Sequence, residues 1–393
     1  MKKLFIRYIL PVIAVFALAS CHDNDGPKCP ATPERTVLVY QVANNNLGNE
    51  GWDRADIDEM RQAAQAGDIG CNHLLVYNSR RSGITLLEIL PDRVDTVKIY
   101  DSSDLSVSSP RMKEVLADVR KLRPAQGYGL ILWSHGTGWI QDGISDELDA
   151  PKRSFGSESN GQKMNVTTLA RTLEGENLEF LYFDCCFMGS VETLYELRDV
   201  APVIVSSPSE LPNPGMPYHL NVGPFFREKS ADLVTAAKNT FEYYDAMTTK
   251  EDRTCTMTVT DQTKLEALAA ATKAIYERAT DLYPSDFVPQ RYENGVLRQY
   301  KYFDFRQYVN ALCLTASGEP RFDGAAQLAA DFNRAFSDAI IYFGSTPMLW
   351  DSVSLANATG LTTNILRNAD SAAIGNYNTL GWYTDVASSL KFN

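Results

Sequence analysis

The sequence predicts an α/β fold: a mostly parallel sheet flanked by helices, with a mainly helical C-terminal part. Three observations predict it. Between 36 and 206, short apolar runs alternate with segments of helical period, the pattern of a sheet covered on both faces. Two of those runs stop abruptly at reactive side chains followed by glycine: YGLILWSHGTGW at 128–139 and FLYFDCCFMG at 180–189. From 231 onward, helical period dominates.

Each element has its own signal. TVLVYQV at 36–42 reads as a first buried strand. Residues 53–66 are helical in period, with Ile57, Met60, Ala63 and Ala64 on one face. Strands are expected at 71–77, 85–90 and 96–100. Ser109 before Pro110 starts a helix. Met112, Val115, Leu116, Val119 and Leu122 form its stripe, and Pro124 ends it. A strand at 128–134 follows. The polar stretch 140–164 is long for a loop in a compact domain, and such loops are either functional or disordered. Helices at 166–174 and 188–198 bracket a strand at 178–185, and another strand covers 203–206. Helices are expected at 231–247, 262–282, 300–315 and 323–342, with strands at 254–260 and 360–366.

Composition narrows the function classes. A formal charge of −12 over 393 residues argues against binding nucleic acid or anionic membranes. Lys2, Lys3 and Arg7 precede an apolar stretch at 8–19, the layout of an export signal. Leu18-Ala19-Ser20-Cys21 resembles a bacterial lipobox, which makes Cys21 the lipidated first residue of the mature chain. The polar, proline-containing segment 21–35 is then a tether. The domain layout is therefore 1–20 signal peptide, 21–35 tether, 36–230 catalytic core, and 231–393 a mainly helical part that rejoins the sheet. The expected location is the cell envelope, at the outer membrane of a Gram-negative bacterium, with the face left open. Seven cysteines without CxxC spacing, four histidines and no HExxH motif point to no zinc site; no cofactor is expected, and calcium dependence is left open.

The chemistry lies at the two strand ends. Neighbouring parallel strands present their carboxyl ends to one crevice. His135 and the Cys185–Cys186 pair would therefore meet there, as a base and a thiol nucleophile do. Side chains alternate along a strand, so Asp184 and Cys186 share a face and Cys185 points beneath. A helix starting near Met188, together with an imidazolium, would lower the thiol pKa. His73 reads as structural, His22 belongs to the tether, and His219 is a weaker rival for the base. No third acid or amide is required.

The S-H-G-T-G-W and D-x-C-F-M-G-S-V-E runs resemble the clostripain family of cysteine peptidases, relatives of caspases and gingipains. YQVANNNL at 40–47, SSPSELPNPGMPY at 206–218 and NYNTLGW at 376–382 extend the resemblance. It implies a caspase-like fold and a His135–Cys186 dyad. It places the oxyanion hole at the backbone N–H groups of Gly136 and Cys186. It implies that Asp184, two residues before the nucleophile, selects Arg or Lys before the cut bond, with Glu210 as a second wall charge. The expected partners are protein or peptide substrates carrying those residues, with a lipid anchor as the membrane link. Some family members use calcium, but no EF-hand loop is present. The basic pair Lys152–Arg153, on the polar loop between the two expected catalytic residues, is a candidate site for self-cleavage; otherwise the pair is simply solvated, or the Arg153–Gly156 segment opens a short strand or turn. The alternative is a catalytically silent surface lipoprotein that binds peptides on the same scaffold.

Overall fold

A computed structural model of the chain describes residues 29–103, 105–140, 155–293 and 302–392. The expected signal peptide, the lipidation residue Cys21 and the basic pair Lys152–Arg153 lie outside the described residues. The chain divides into units Met1–Ala31 and Thr32–Asn393. Only 29–31 of the first are described, and the second holds every element below.

The first half follows the expected alternation. β1 (Arg35–Val42) is buried along its whole length and leads into α1 (Asn46–Glu50) and α2 (Trp52–Ala66). β2 (His73–Arg80), β3 (Gly83–Ile89) and β4 (Val94–Tyr100) form an antiparallel wing. α3 (Ser109–Leu122) is capped by Ser108, whose side chain accepts from the Arg111 N–H, and carries proline in its first turn. β5 (Gly127–Trp133), α4 (Val166–Leu173), β6 (Phe180–Asp184), α5 (Val191–Glu196) and β7 (Val203–Ser206) complete the pattern.

The second half is less helical than its sequence pattern. α6 (Tyr218–Phe225) and α7 (Leu233–Asp245) precede β8 (Thr256–Asp261) and α8 (Leu265–Tyr276). β9 (Tyr302–Asp304), α9 (Phe305–Cys313) and α10 (Ala325–Ala339) follow, and then β10 (Ile340–Ser345). The hairpin β11 (Met348–Leu349) and β12 (Val353–Ser354), then β13 (Thr362–Asn364) and α11 (Ser371–Tyr377), close the chain. The stretch 340–342 was expected as helix. It is strand because the exposed edge of β8 supplies partners for its backbone groups.

Nine strands form one sheet in the order β10-β8-β7-β6-β5-β1-β2-β3-β4. β7, β6, β5, β1 and β2 pair in parallel, and antiparallel pairing reverses only β3 and β8. Side chains on β1 alternate between two cores: Leu38, Tyr40 and Val42 in one, Val37 and Val39 in the other. The first core takes α3, α4, α5 and the C-terminal helices α8–α10. The second takes α2, α6 and α7. The sheet is thus covered on both faces, and its five parallel strands open onto one edge.

Candidate active site

Strand register assembles the site. β5 and β6 run in parallel with Trp133 opposite Asp184. Continuing that register past the strand ends sets Ser134 beside Cys185 and His135 beside Cys186. These residues line one small cavity of about 30 Å³ together with Asp184, Leu211 and Gly215. β1 borders β5 on its other side, with Gln41 opposite Trp133, so the loop after β1 reaches His135.

That loop holds the histidine. His135 Nε2 and Asn46 Oδ1 are 2.7 Å apart. Asn45 braces the same corner, donating to the Val42 and Ser157 carbonyls at 2.9 Å and to Ser134 Oγ at 3.2 Å. The run of three asparagines was legible in the sequence, but no role for an amide had been assigned there. Burial lowers the His135 pKa, the Lys163 cation lowers it further, and Glu50 opposes. The imidazole is therefore neutral at pH 7, the form a base needs. Lys163 is itself pushed down to about 8 by burial.

The cysteine side differs from expectation. α5 begins at Val191, after the Ser190 cap, and not at Met188. Phe187, in left-handed backbone at φ 58°, turns the chain immediately after Cys186. Such a conformation costs a non-glycine residue about 1–3 kcal/mol. Stacking of its ring on Tyr302 at 4.2 Å and an N–H bond to the Ser209 carbonyl hold it there. With Phe187–Gly189 intervening, no helix end acts on the thiol. Burial instead pushes Cys186 up to about 12, against a backbone hydrogen bond from Leu211, with Glu210 and Asp184 adding to the rise. The Leu211 N–H donates to Sγ at 3.4 Å, and Sγ approaches the Leu211 carbonyl at 3.8 Å. Among the described residues, no hydrogen bond joins His135 to Cys186. Cys185 is buried, as its place in the strand pattern implied, and donates to the Leu132 carbonyl.

Close approach explains one glycine here. A Cβ on Gly136 would sit 2.5 Å from the Cys186 carbonyl oxygen. The same contact brings the Gly136 backbone against the Cys186 backbone.

Asp184 is 5% exposed. Its Oδ1 accepts from the Met216 N–H at 3.0 Å, while Oδ2 has no partner among the described residues. Gly215, at φ 66°, leaves no room for a Cβ, which would lie 2.8 Å from Asp184 Oδ1. Burial raises the Asp184 carboxyl to about 7. It caps no helix, since Ser190 performs that task for α5. Glu210 does not line the cavity. Its carboxylate accepts from the Trp350 indole, and burial raises its pKa. His219 pairs with Glu59 at 3.2 Å, and His73 with Glu88 at 2.9 Å, outside the cavity. Of the cysteines in this unit, Cys71 is disulfide-bonded and Cys185, Cys186, Cys255 and Cys313 are free. Among the described residues, no group of three or more His, Cys, Asp or Glu could hold a metal ion.

The architecture matches known structures. An inactive zymogen of a C11 protease from Parabacteroides distasonis superposes with a TM-score of 0.77 at 26% identity, covering 91% of this chain and 99% of that one. A secreted C11 cysteine protease from Bacteroides thetaiotaomicron, in complex with an irreversible peptide inhibitor, gives 0.73 at 26% identity, covering 90% and 99%. No curated protein matches the chain. The clostripain family model matches residues 39–386. With that match spanning the sheet, both strand ends and the C-terminal helices, the chain belongs to the clostripain family and is a cysteine-type peptidase of caspase-like fold.

Proposed function

We propose that this peptidase is an exported, lipid-anchored endopeptidase that cuts after Arg or Lys with a His135–Cys186 dyad. The observation that carries the specificity is the buried Asp184 carboxylate in the cavity shared by His135 and Cys186, with one oxygen lacking any partner among the described residues. A basic side chain entering there gains a desolvated ion pair, and an uncharged one leaves the carboxylate unpaired.

In the proposed mechanism, Cys186 Sγ attacks the scissile carbonyl carbon and its proton passes to His135. Backbone N–H groups of Gly136 and Cys186 receive the oxyanion. His135 then protonates the leaving amine as the C–N bond breaks. Water hydrolyses the thioester, with His135 as base, and the thiol is restored. Asn46 fixes the ring orientation throughout.

The small size of the cavity gives the present form a second meaning. Leu211 bonds both ways to Cys186, and a cavity of about 30 Å³ admits no peptide. This supports a precursor state that opens when the 207–217 loop moves, with self-cleavage at Lys152 or Arg153 as the trigger. The anchor is Cys21, and the secreted neighbour makes export plausible. A fluorogenic peptide panel on the wild type, Cys186→Ala and Asp184→Asn tests the reading. The expected result is turnover of Arg or Lys peptides that is lost in Cys186→Ala. Equal turnover of neutral peptides would overturn the specificity.

A further inference from the structure

A two-stranded sheet of β9 and β13 lies apart from the nine strands. The two pair antiparallel, with Tyr302 opposite Asn364 and Asp304 opposite Thr362. They pack on the turns that leave β5 and β6. The Thr362 N–H donates to the Gly189 carbonyl at 3.1 Å, just past Cys186. Tyr302 reaches further. Its hydroxyl donates to the Thr137 carbonyl at 2.8 Å, on the turn that carries His135. Its ring stacks on Phe187, the neighbour of Cys186, with centroids 4.2 Å apart and planes 13° from parallel. One fully buried side chain, 165 residues downstream of Thr137, thus touches both turns of the cleft.

Those turns need a brace. The β5–β6 pairing ends with Trp133 opposite Asp184, so the ladder stops short of His135 and Cys186. The turns also run against each other without slack. A Cβ on Gly136 would lie 2.5 Å from the Cys186 carbonyl oxygen, and one on Gly138 would lie 2.8 Å from that of Phe187. Phe187 holds a left-handed backbone at φ 58°, which a non-glycine residue keeps only where its surroundings enforce it. A shift of either turn would move the His135 ring, or the N–H of Gly136 or Cys186, relative to the thiol. Misplacing reacting groups by about 1 Å can cost ~100-fold in rate. The plain alternative is a core tyrosine whose hydroxyl merely finds a carbonyl. That alternative lowers stability when the residue is changed and leaves the rate per active site alone.

We infer that Tyr302 is a positioning residue for the reaction. Its hydroxyl on Thr137 and its ring on Phe187 lock the turn of His135 and Gly136 to the turn of Cys186. The base and the proposed oxyanion donors are thereby fixed against the thiol. The inference rests on the proposed His135–Cys186 dyad. Hydroxyl and ring act on different turns, so they can be removed separately.

The test uses Tyr302→Phe, which keeps the ring and loses the Thr137 bond, and Tyr302→Leu, which loses both. Active sites are titrated with a peptidyl chloromethyl ketone, and rates are taken per titrated site. kcat should fall ~10-fold in Tyr302→Phe and ~100-fold in Tyr302→Leu, with KM within about twofold of wild type. Affinity for the matching peptide aldehyde, whose tetrahedral adduct with Cys186 occupies the oxyanion site, should fall by the same factors as kcat/KM. An unchanged kcat per site and aldehyde affinity in Tyr302→Phe overturn the inference, whatever the melting temperature does. So does a rise in KM alone. If Tyr302→Leu does not fold, Tyr302→Phe decides by itself. Either failure leaves the dyad standing when Cys186→Ala is inactive. Turnover that survives in Cys186→Ala, or a wild type that neither turns over peptides nor is labelled at Cys186, overturns both.

Discussion

The two walls of the cleft are built differently. On the β5 side, His135 is only half-buried, bonded to an asparagine and held neutral at pH 7. On the β6 side, Asp184 is buried and Cys186 partly buried, both pKa values raised, with Leu211 drawn over the thiol. In the proposed dyad, the base is ready and the nucleophile is not. The same register that brings them together also packs the cysteine under a loop. On the proposed reading, activation requires movement on one side only.

The largest effects should come from removing either reacting group. Cys186→Ala and His135→Ala should each lower kcat/KM by ~10³-fold or more, whereas Cys185→Ala should retain most activity. Titrating active sites with a thiol-directed probe would check this, and labelling that persists in Cys186→Ala would move the nucleophile elsewhere.

Next comes Asp184. Leaving a basic side chain without its buried carboxylate partner costs about 2–5 kcal/mol, so Asp184→Asn should lower kcat/KM for arginyl and lysyl peptides ~30-fold or more. Steady-state kinetics on a variant with an unchanged melting profile would measure it.

Asn46→Ala addresses the other wall. Loss of its hydrogen bond frees the imidazole, so kcat should fall ~10-fold with little change in KM. Loss of activity through a higher KM alone would show that Asn46 contacts substrate and does not orient His135.

The smallest effect is on stability. Asp184 and the buried Glu192 are both raised by burial to about 7, and Asp56 is raised in the same direction. For an acid raised on folding, the stabilisation is complete below the unfolded pKa of about 4 and is lost as pH rises through the folded value. The melting temperature should therefore be higher at pH 5 than at pH 8. A scanning calorimetry series showing the reverse would mean these carboxyls are ionised in the folded chain.

Much of this cleft was visible in the chain as written. The strand before His135 and the strand before Cys186 each announce themselves by an apolar run that ends at a glycine-flanked polar residue. Backbone geometry makes that signal local: alternation and helical period are set by a few neighbouring residues. The helix expected at 188–198 shows where local signals stop. Its apolar pattern continues upstream to Met188, but the left-handed Phe187 and the Ser190 cap delay the helix to Val191. The strand at Ile340–Ser345 shows the same limit, since the β8 edge it pairs with is about eighty residues away in sequence.

The amino-acid sequence by itself determined the order of most elements and the two strand ends that meet at one cavity. Each depends on spacing within about ten residues. Only the tertiary structure decided that Asn46 reaches His135, that α2 turns Asp56 inward, and that the Cys186 thiol is protonated under Leu211. These properties depend on desolvation and on contacts between segments 25 to 89 residues apart. No local period encodes how much water a folded chain will exclude.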